Sequence, residues 1–160
     1  MRPAVNLQDI HFRGAHLERP LLGKIKNGLL TLHTLELMAM TVYRFQITKA
    51  KTEHNRQLIA AQLNESSHYQ DFQLKLSEYG WRPFVLRVAF WCVGFALGLS
   101  SRLLGKRAIL KTGIWVETKA IEHYNHLLKT IAWDDESRKI IEKDQFDEFQ
   151  HIKRWQSFLF

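Results

Sequence analysis

The chain has 160 residues, 46% apolar and 24% charged, which suits one folded domain and excludes a disordered or low-complexity chain. Three prolines and eight glycines are too few turn formers for a β-sandwich, so an all-α fold is expected. A net charge of +7 points to anionic partners, nucleic acid or lipid, while the single cysteine, Cys92, excludes an internal disulfide framework or a cysteine-based zinc site.

Residues 1–20 read as an irregular polar arm. The arm lacks the apolar run of a secretory signal, and Asp9 and Glu18 argue against a transit peptide. Residues 21–160 read as a helical bundle. Leu29, Leu30, His33, Leu37, Met40 and Tyr43 recur at the helical period, predicting a helix from Leu21 to about Lys49–Lys51. A second helix is expected from about Thr52 to Tyr79, with Thr52 or Asn55 as N-cap. Gly80-Trp81-Arg82-Pro83 then stops it.

Residues 83–104 are nearly all apolar, with Arg87 and Arg102 the only charges. The length overlaps that of a transmembrane helix. The two arginines and the small residues Gly94, Gly98 and Ser100-Ser101 favour an apolar helix, or a broken helical hairpin, in the membrane interface. A fully buried core helix is the alternative. A third long helix is expected from about Ala108 to Ile131, then a turn at Trp133-Asp134-Asp135-Glu136 with Asp134 or Asp135 as N-cap. A last helix runs to about Phe158.

Two Glu-x-x-His motifs carry the chemistry, Glu65-Ser66-Ser67-His68 and Glu148-Phe149-Gln150-His151. Residues three apart share a helix face, so each pair can bind one ion or two neighbouring ions. Each motif follows a lone glutamate on the preceding helix, Glu36 and Glu117, by about thirty residues. Glu36, Glu65, His68, Glu117, Glu148 and His151 thus match the di-iron site of ferritin-like four-helix bundles. Carboxylates stabilise ferric iron and bridge two ions, and imidazoles complete each ion. The neighbours Leu35 and Leu37, Ile114 to Val116, and Phe146 and Phe149 argue that the glutamates are not merely solvated surface charges. His33 reads either as a group orienting a ligand or as a core histidine. Tyr43, Tyr69 and Tyr124 read as core, and Cys92 as a small apolar filler. No nucleic-acid module or phosphate loop is present, so nucleic acid is not an expected partner.

The motifs resemble those of the demethoxyubiquinone hydroxylases, di-iron monooxygenases of ubiquinone biosynthesis. The resemblance covers about residues 28–157. It rests on His33-Thr34-Leu35-Glu36 with Ala39, Val42 and Tyr43, on Glu65-Ser66-Ser67-His68 with Phe72, and on Arg82-Pro83. Further matches are Gly94-Phe95-Ala96-Leu97-Gly98, Leu103-Leu104-Gly105-Lys106, Val116-Glu117, Ile121, His123-Tyr124-Asn125 and Asp147-Glu148-Phe149-Gln150-His151. The resemblance implies hydroxylation of a polyprenyl benzoquinone with O₂ by two iron ions, with electrons from NADH or the quinol. It also implies that His123 and Tyr124 help to pass electrons to the irons.

Residues 83–104 would then be the membrane-associated insert. Lys106, Arg107, Arg102 and Lys111 would face an anionic surface, the cytoplasmic face of a bacterial inner membrane or the matrix face of a mitochondrial one. A lipid-binding accessory protein and a homo-oligomer are further expected partners. The chain departs from the family pattern at Thr34-Leu35, Met38, Lys111, Ile114, Trp115 and Gln150, and ends at Phe160 where family members usually continue with another apolar helix. These departures keep two alternatives open: a ferritin-like di-iron oxidase or iron- and peroxide-handling protein, and a non-catalytic partner in quinone synthesis.

Overall fold

The structure, a computed structural model, describes residues 7–159; residues 1–6 of the expected arm and Phe160 lie outside that range. The described residues form five α-helices and no strand: α1 (Arg19–Gln46), α2 (Glu53–Glu78), α3 (Arg87–Leu103), α4 (Lys106–Thr130) and α5 (Asp135–Ser157), preceded by a short 3₁₀ turn at Leu7–Asp9. The all-α expectation holds, and the arrangement is consistent with a ferritin-like bundle.

Local chemistry sets the helix ends. Pro20 lies in the first turn of α1, where a missing N–H costs nothing, so α1 starts slightly before Leu21. α1 stops at Gln46, short of Lys49, because Ile47 turns extended and Thr48 is held by Asn55. The Asn55 side chain accepts from Thr48 N at 2.8 Å and donates to Thr48 O at 2.9 Å, so it secures the loop. Thr52 is the N-cap of α2, its hydroxyl accepting from Asn55 N, and Asp134 caps α5 through Ser137 N. Gly80 takes φ 69° and ends α2 in a left-handed residue.

α1 packs most extensively on α2 and α3, and α4 on α5. Cross-helix pairs give the directions. Tyr43 meets Glu117 while Tyr124 meets Glu36, so α1 and α4 run antiparallel. Asn64 meets His151 while Asp71 meets Lys143, so α2 and α5 do too. The pairs α1–α2 and α4–α5 are thus related by an approximate two-fold axis.

One apolar cluster closes one end of the bundle, built on Ile25, Leu29, Leu32, Phe72, Leu76, Trp133 and Ile141. Another, with Leu58, Ala61, Ile109, Leu110 and Trp155, closes the other end. The charged centre lies between two dry plugs. At the first end Arg13 of the arm pairs with Glu78, Asp134 and Glu136, and the buried Lys75 with Glu78 and Glu136. This clip ties α2 to the α4–α5 turn.

α3 decides among the expected alternatives in favour of the apolar helix. It is one unbroken helix of 17 residues, so the hairpin does not form. Nor is it a buried core helix, since only Gly94, Gly98 and Ser101 are buried. The small residues form a contact seam. A Cβ at Gly94 would lie 2.6 Å from Met38 O, and one at Gly98 would lie 2.5 Å from Val42 O. The opposite face carries the exposed Val88 and Cys92, so Cys92 does not fill the core, while Phe90 and Trp91 flank the seam and stay partly exposed, Trp91 edge-on to Phe45.

Candidate metal centre

The residues singled out from the sequence meet. Glu36 comes from α1, Glu65 and His68 from α2, Glu117 from α4, and Glu148 and His151 from α5, and none is more than 1% exposed. His68 Nδ1 faces Glu148 at 3.1 Å, Glu36 at 3.5 Å and Glu65 at 3.9 Å. His151 Nδ1 faces Glu65 at 3.1 Å and Glu117 and Glu148 at 3.2 Å. Ligand-type atoms of Glu36, Glu65, His68 and Glu148 lie within 4.8 Å of one another, and so do those of Glu65, Glu117, Glu148 and His151. Glu65 and Glu148 belong to both groups, so the cluster could hold two neighbouring cations that share these two residues.

The electrostatics call for cations. Glu65 Oε2 and Glu117 Oε2 are buried with no hydrogen-bond donor, a costly state for a carboxylate oxygen. Burial, and then the charges of Glu148, Glu117 and Glu36, hold the Glu65 carboxyl well above its ordinary range. Burial and Glu148 push Glu117 up to about 8. Burial also opposes charge on Glu148, but hydrogen bonds from His151 and His68 bring it down to about 2. Burial disfavours a charged His151, yet Glu117, Glu148 and Glu65 push it up to about 12. Protons therefore do what two divalent ions would do better. The carboxylate and imidazole donors fit a pair of hard cations such as iron or manganese.

Two tyrosines that read as core filler serve the centre. Tyr43 donates to Glu117 across the bundle and accepts from Trp155 Nε1 at 3.0 Å, so its proton is committed to the carboxylate. Tyr124 donates to Glu36 at 2.6 Å. Each tyrosine stands seven residues, two helical turns, after the glutamate of its own helix, and this repeat was legible in the sequence.

Other contacts were not read from the sequence. His68 Nε2 lies 3.3 Å from Asp147 and 3.6 Å from Asp144, and the Asn64 amide lies 3.3 Å from His151 Nε2. Asp144 stands one turn before Glu148 on the same face, a signal that helical spacing could have revealed. Phe146 and Phe149 are exposed, so the apolar run around Glu148 did not report its burial; cross-bundle packing causes it.

His123 lies apart from this cluster. Its ring is exposed, with Nδ1 against Lys119 O at 2.8 Å. It lines a cavity of about 310 Å³ with Leu30, Thr34, Leu35, Phe84 and Phe90. Met38, flagged beside Leu35, is not among the lining residues. Glu122 is exposed and pairs with Lys119 at 2.6 Å.

His33 is a core histidine. It hydrogen-bonds Gln73 at 3.1 Å and packs on Tyr69. Burial pulls it down to about 4, although the Gln73 bond favours its charged form. An unfolded His33 takes up a proton below about pH 6.5 while the folded one stays neutral, so this residue's contribution to stability is lost as pH falls from about 6.5 through about 4. His33→Phe is expected to flatten the urea-measured stability profile in that window. An unchanged slope would rule this out.

Matched Glu and Glu-x-x-His sets around a buried carboxylate and histidine cluster define a class, a helical bundle compatible with a di-iron centre. The family model described as ubiquinone biosynthesis protein COQ7 matches residues 25–154, and the chain belongs to this family. It is 30% identical over 123 residues to the 3-demethoxyubiquinol 3-hydroxylase of Pseudomonas fluorescens, covering 76% of this chain and 57% of the relative. It is also 30% identical over 125 residues to the mitochondrial NADPH-dependent 3-demethoxyubiquinone 3-hydroxylase of Dictyostelium discoideum, covering 75% and 58%. A third relative, the 3-demethoxyubiquinol 3-hydroxylase of Cupriavidus metallidurans, is 32% identical over 130 residues, covering 78% and 62%. These matches span less than two-thirds of each relative's length.

Proposed function

We propose that this chain is a di-iron hydroxylase that acts on a demethoxyubiquinol-type quinol at a membrane surface. The observation that carries the reading is the buried cluster of four glutamates and two histidines with two shared carboxylates. Glu36, Glu65, His68 and Glu148 would hold one iron, and Glu65, Glu117, Glu148 and His151 the other. The pair would supply O₂ activation for insertion of one oxygen atom into an electron-rich ring, with electrons from NADH, NADPH or the quinol itself.

The chain's own residues shape that chemistry. Tyr43 and Tyr124 fix Glu117 and Glu36 by donating to one oxygen of each. The apolar clusters at both ends keep bulk water away. The cavity between α1 and the start of α3 is the candidate ring site. Leu35, beside Glu36, lines it, and His123, beside Tyr124, faces it from α4. By this reading Tyr124 connects cavity and centre, and His123 contacts the substrate.

No helix among the described residues is long and apolar enough to cross a membrane. A peripheral mode fits the exposed Val85, Val88, Phe90 and Trp91, with Arg102, Lys106, Arg107 and Lys111 exposed toward an anionic surface. The Phe90→Ala/Trp91→Ala protein is expected to lose co-sedimentation with anionic liposomes that the parent chain shows. Undiminished binding would remove α3 as the contact.

The deciding experiment loads the anaerobically purified chain with ferrous iron and adds demethoxyubiquinol in anionic vesicles under O₂. About two irons per chain and a product heavier by one oxygen atom are expected. Iron-dependent O₂ consumption without that product would favour the oxidase alternative. No bound iron would leave the non-catalytic partner.

A further inference from the structure

The two halves of the centre follow one plan but differ behind the histidines. The approximate two-fold axis matches Glu36 with Glu117, Tyr43 with Tyr124, Glu65 with Glu148, and His68 with His151. The residue before each shared glutamate also corresponds, Asn64 on α2 and Asp147 on α5. Each reaches across the α2–α5 seam to the other helix's histidine. Asp147 Oδ2 lies 3.3 Å from His68 Nε2, and the Asn64 amide lies 3.3 Å from His151 Nε2. One histidine is therefore backed by a carboxylate and the other by a neutral amide.

A second carboxylate, Asp144, stands 3.6 Å from His68 Nε2, where the equivalent place on α2 is Ala61. Lys143 lies 2.8 Å from Asp144 and offsets its charge. Asp147 makes no ion pair with a lysine or arginine among the described residues, so it is the carboxylate at His68 Nε2 that no such cation contacts.

We propose that the two metal positions are unequal, that the one served by Glu36 and His68 fills first and binds a divalent cation more tightly, and that Asp147 is the positioning residue responsible. The proposal rests on the reading of the cluster as a dinuclear metal centre. A carboxylate on Nε2–H holds the tautomer whose Nδ1 lone pair faces the metal, makes that nitrogen a stronger donor and adds nearby negative charge. The Asn64 Nδ2 that faces His151 Nε2 is a donor, so it neither holds an Nε2–H tautomer nor adds negative charge. Apart from Asp144 with Lys143 and the Trp155 bond to Tyr43, the two halves match. Each position has three carboxylates, two of them shared, and each terminal glutamate accepts from a tyrosine.

The test titrates the metal-free chain with cobalt(II) alone, followed by calorimetry and visible absorption. Two steps are expected, separated by about 10- to 100-fold, the range that such supporting partners command. His68→Ala should remove the tight step and His151→Ala the weak one. Asp147→Asn should weaken the tight step until the two merge, and Asn64→Asp should tighten the weak one. Both replaced side chains are partly exposed and nearly isosteric with their substitutes, and melting curves confirm folding. Equal steps in the parent chain, or a tight step unmoved by Asp147→Asn, would overturn the inference and leave the dinuclear reading intact. No cobalt bound by the parent chain would overturn both.

Discussion

Replacing Glu65 by methionine is expected to empty the centre of metal and yet raise the melting temperature of the metal-free protein. Glu65 is buried, shared by both candidate positions, and surrounded by Glu148, Glu117 and Glu36. Without metal it is a desolvated carboxyl among like charges, and His151 keeps Glu117 and Glu148 when it is removed, so its loss relieves burial and repulsion without stranding the histidine. In a chain of this length each kcal/mol moves the melting temperature by about 2–4 °C. If the proposed di-iron hydroxylase reading holds, iron per chain should fall from about two toward zero and hydroxylation should fall below detection. Glu36→Met removes a ligand from one position only and should retain up to about one equivalent. A metal-free Glu65→Met protein that melts lower than the parent would show that the carboxylate contributes to the fold.

Gly98→Leu should detach α3. A Cβ at residue 98 would stand 2.5 Å from Val42 O and 2.9 Å from Phe45 Cβ. The first contact is with helix backbone, which cannot turn aside as a side chain can. Overpacking of this kind costs about 1–3 kcal/mol, and backbone contact places this site at the upper end. Even Gly98→Ala should lower the melting temperature by several degrees. Because Phe84 just before α3 and Phe90 in its first turn line the cavity, the proposed quinol binding should weaken with it. Gly23→Ala is the control: Gly23 is exposed in α1 with nothing within 4 Å of an added Cβ. There the gain in helix propensity should stabilise by about 0.5–1 kcal/mol. If Gly98→Leu melts like the parent, α3 is not held by this seam.

The two substitutions have opposite consequences because they test different kinds of burial. Glu65 is buried for chemistry at a cost to the fold. Gly98 is buried so that two backbones can touch, and the outer face of α3 stays free for another contact.

What the amino-acid sequence determined by itself was local or periodic. The helical stripes of α1, the cap candidates Thr52 or Asn55 and Asp134 or Asp135, and the stop at Gly80 depend on residues within a turn or two. The six candidate ligands were legible for the same reason. Glu and His three apart must share a face, and a repeated pattern points to one centre. Tertiary structure decided whatever depends on how each helix is rotated about its axis and on what stands opposite. Residues 83–104 are apolar all round, so no periodicity could show that Gly94 and Gly98 form a seam while Cys92 faces outward. Tyr43 and Tyr124 read as core on their own helices. Only the antiparallel packing of α1 on α4 brings each to the other's glutamate. Asp147 and Asn64 occupy equivalent places in two motifs, and their difference acquires meaning only across the α2–α5 seam, where each lies behind the opposite histidine.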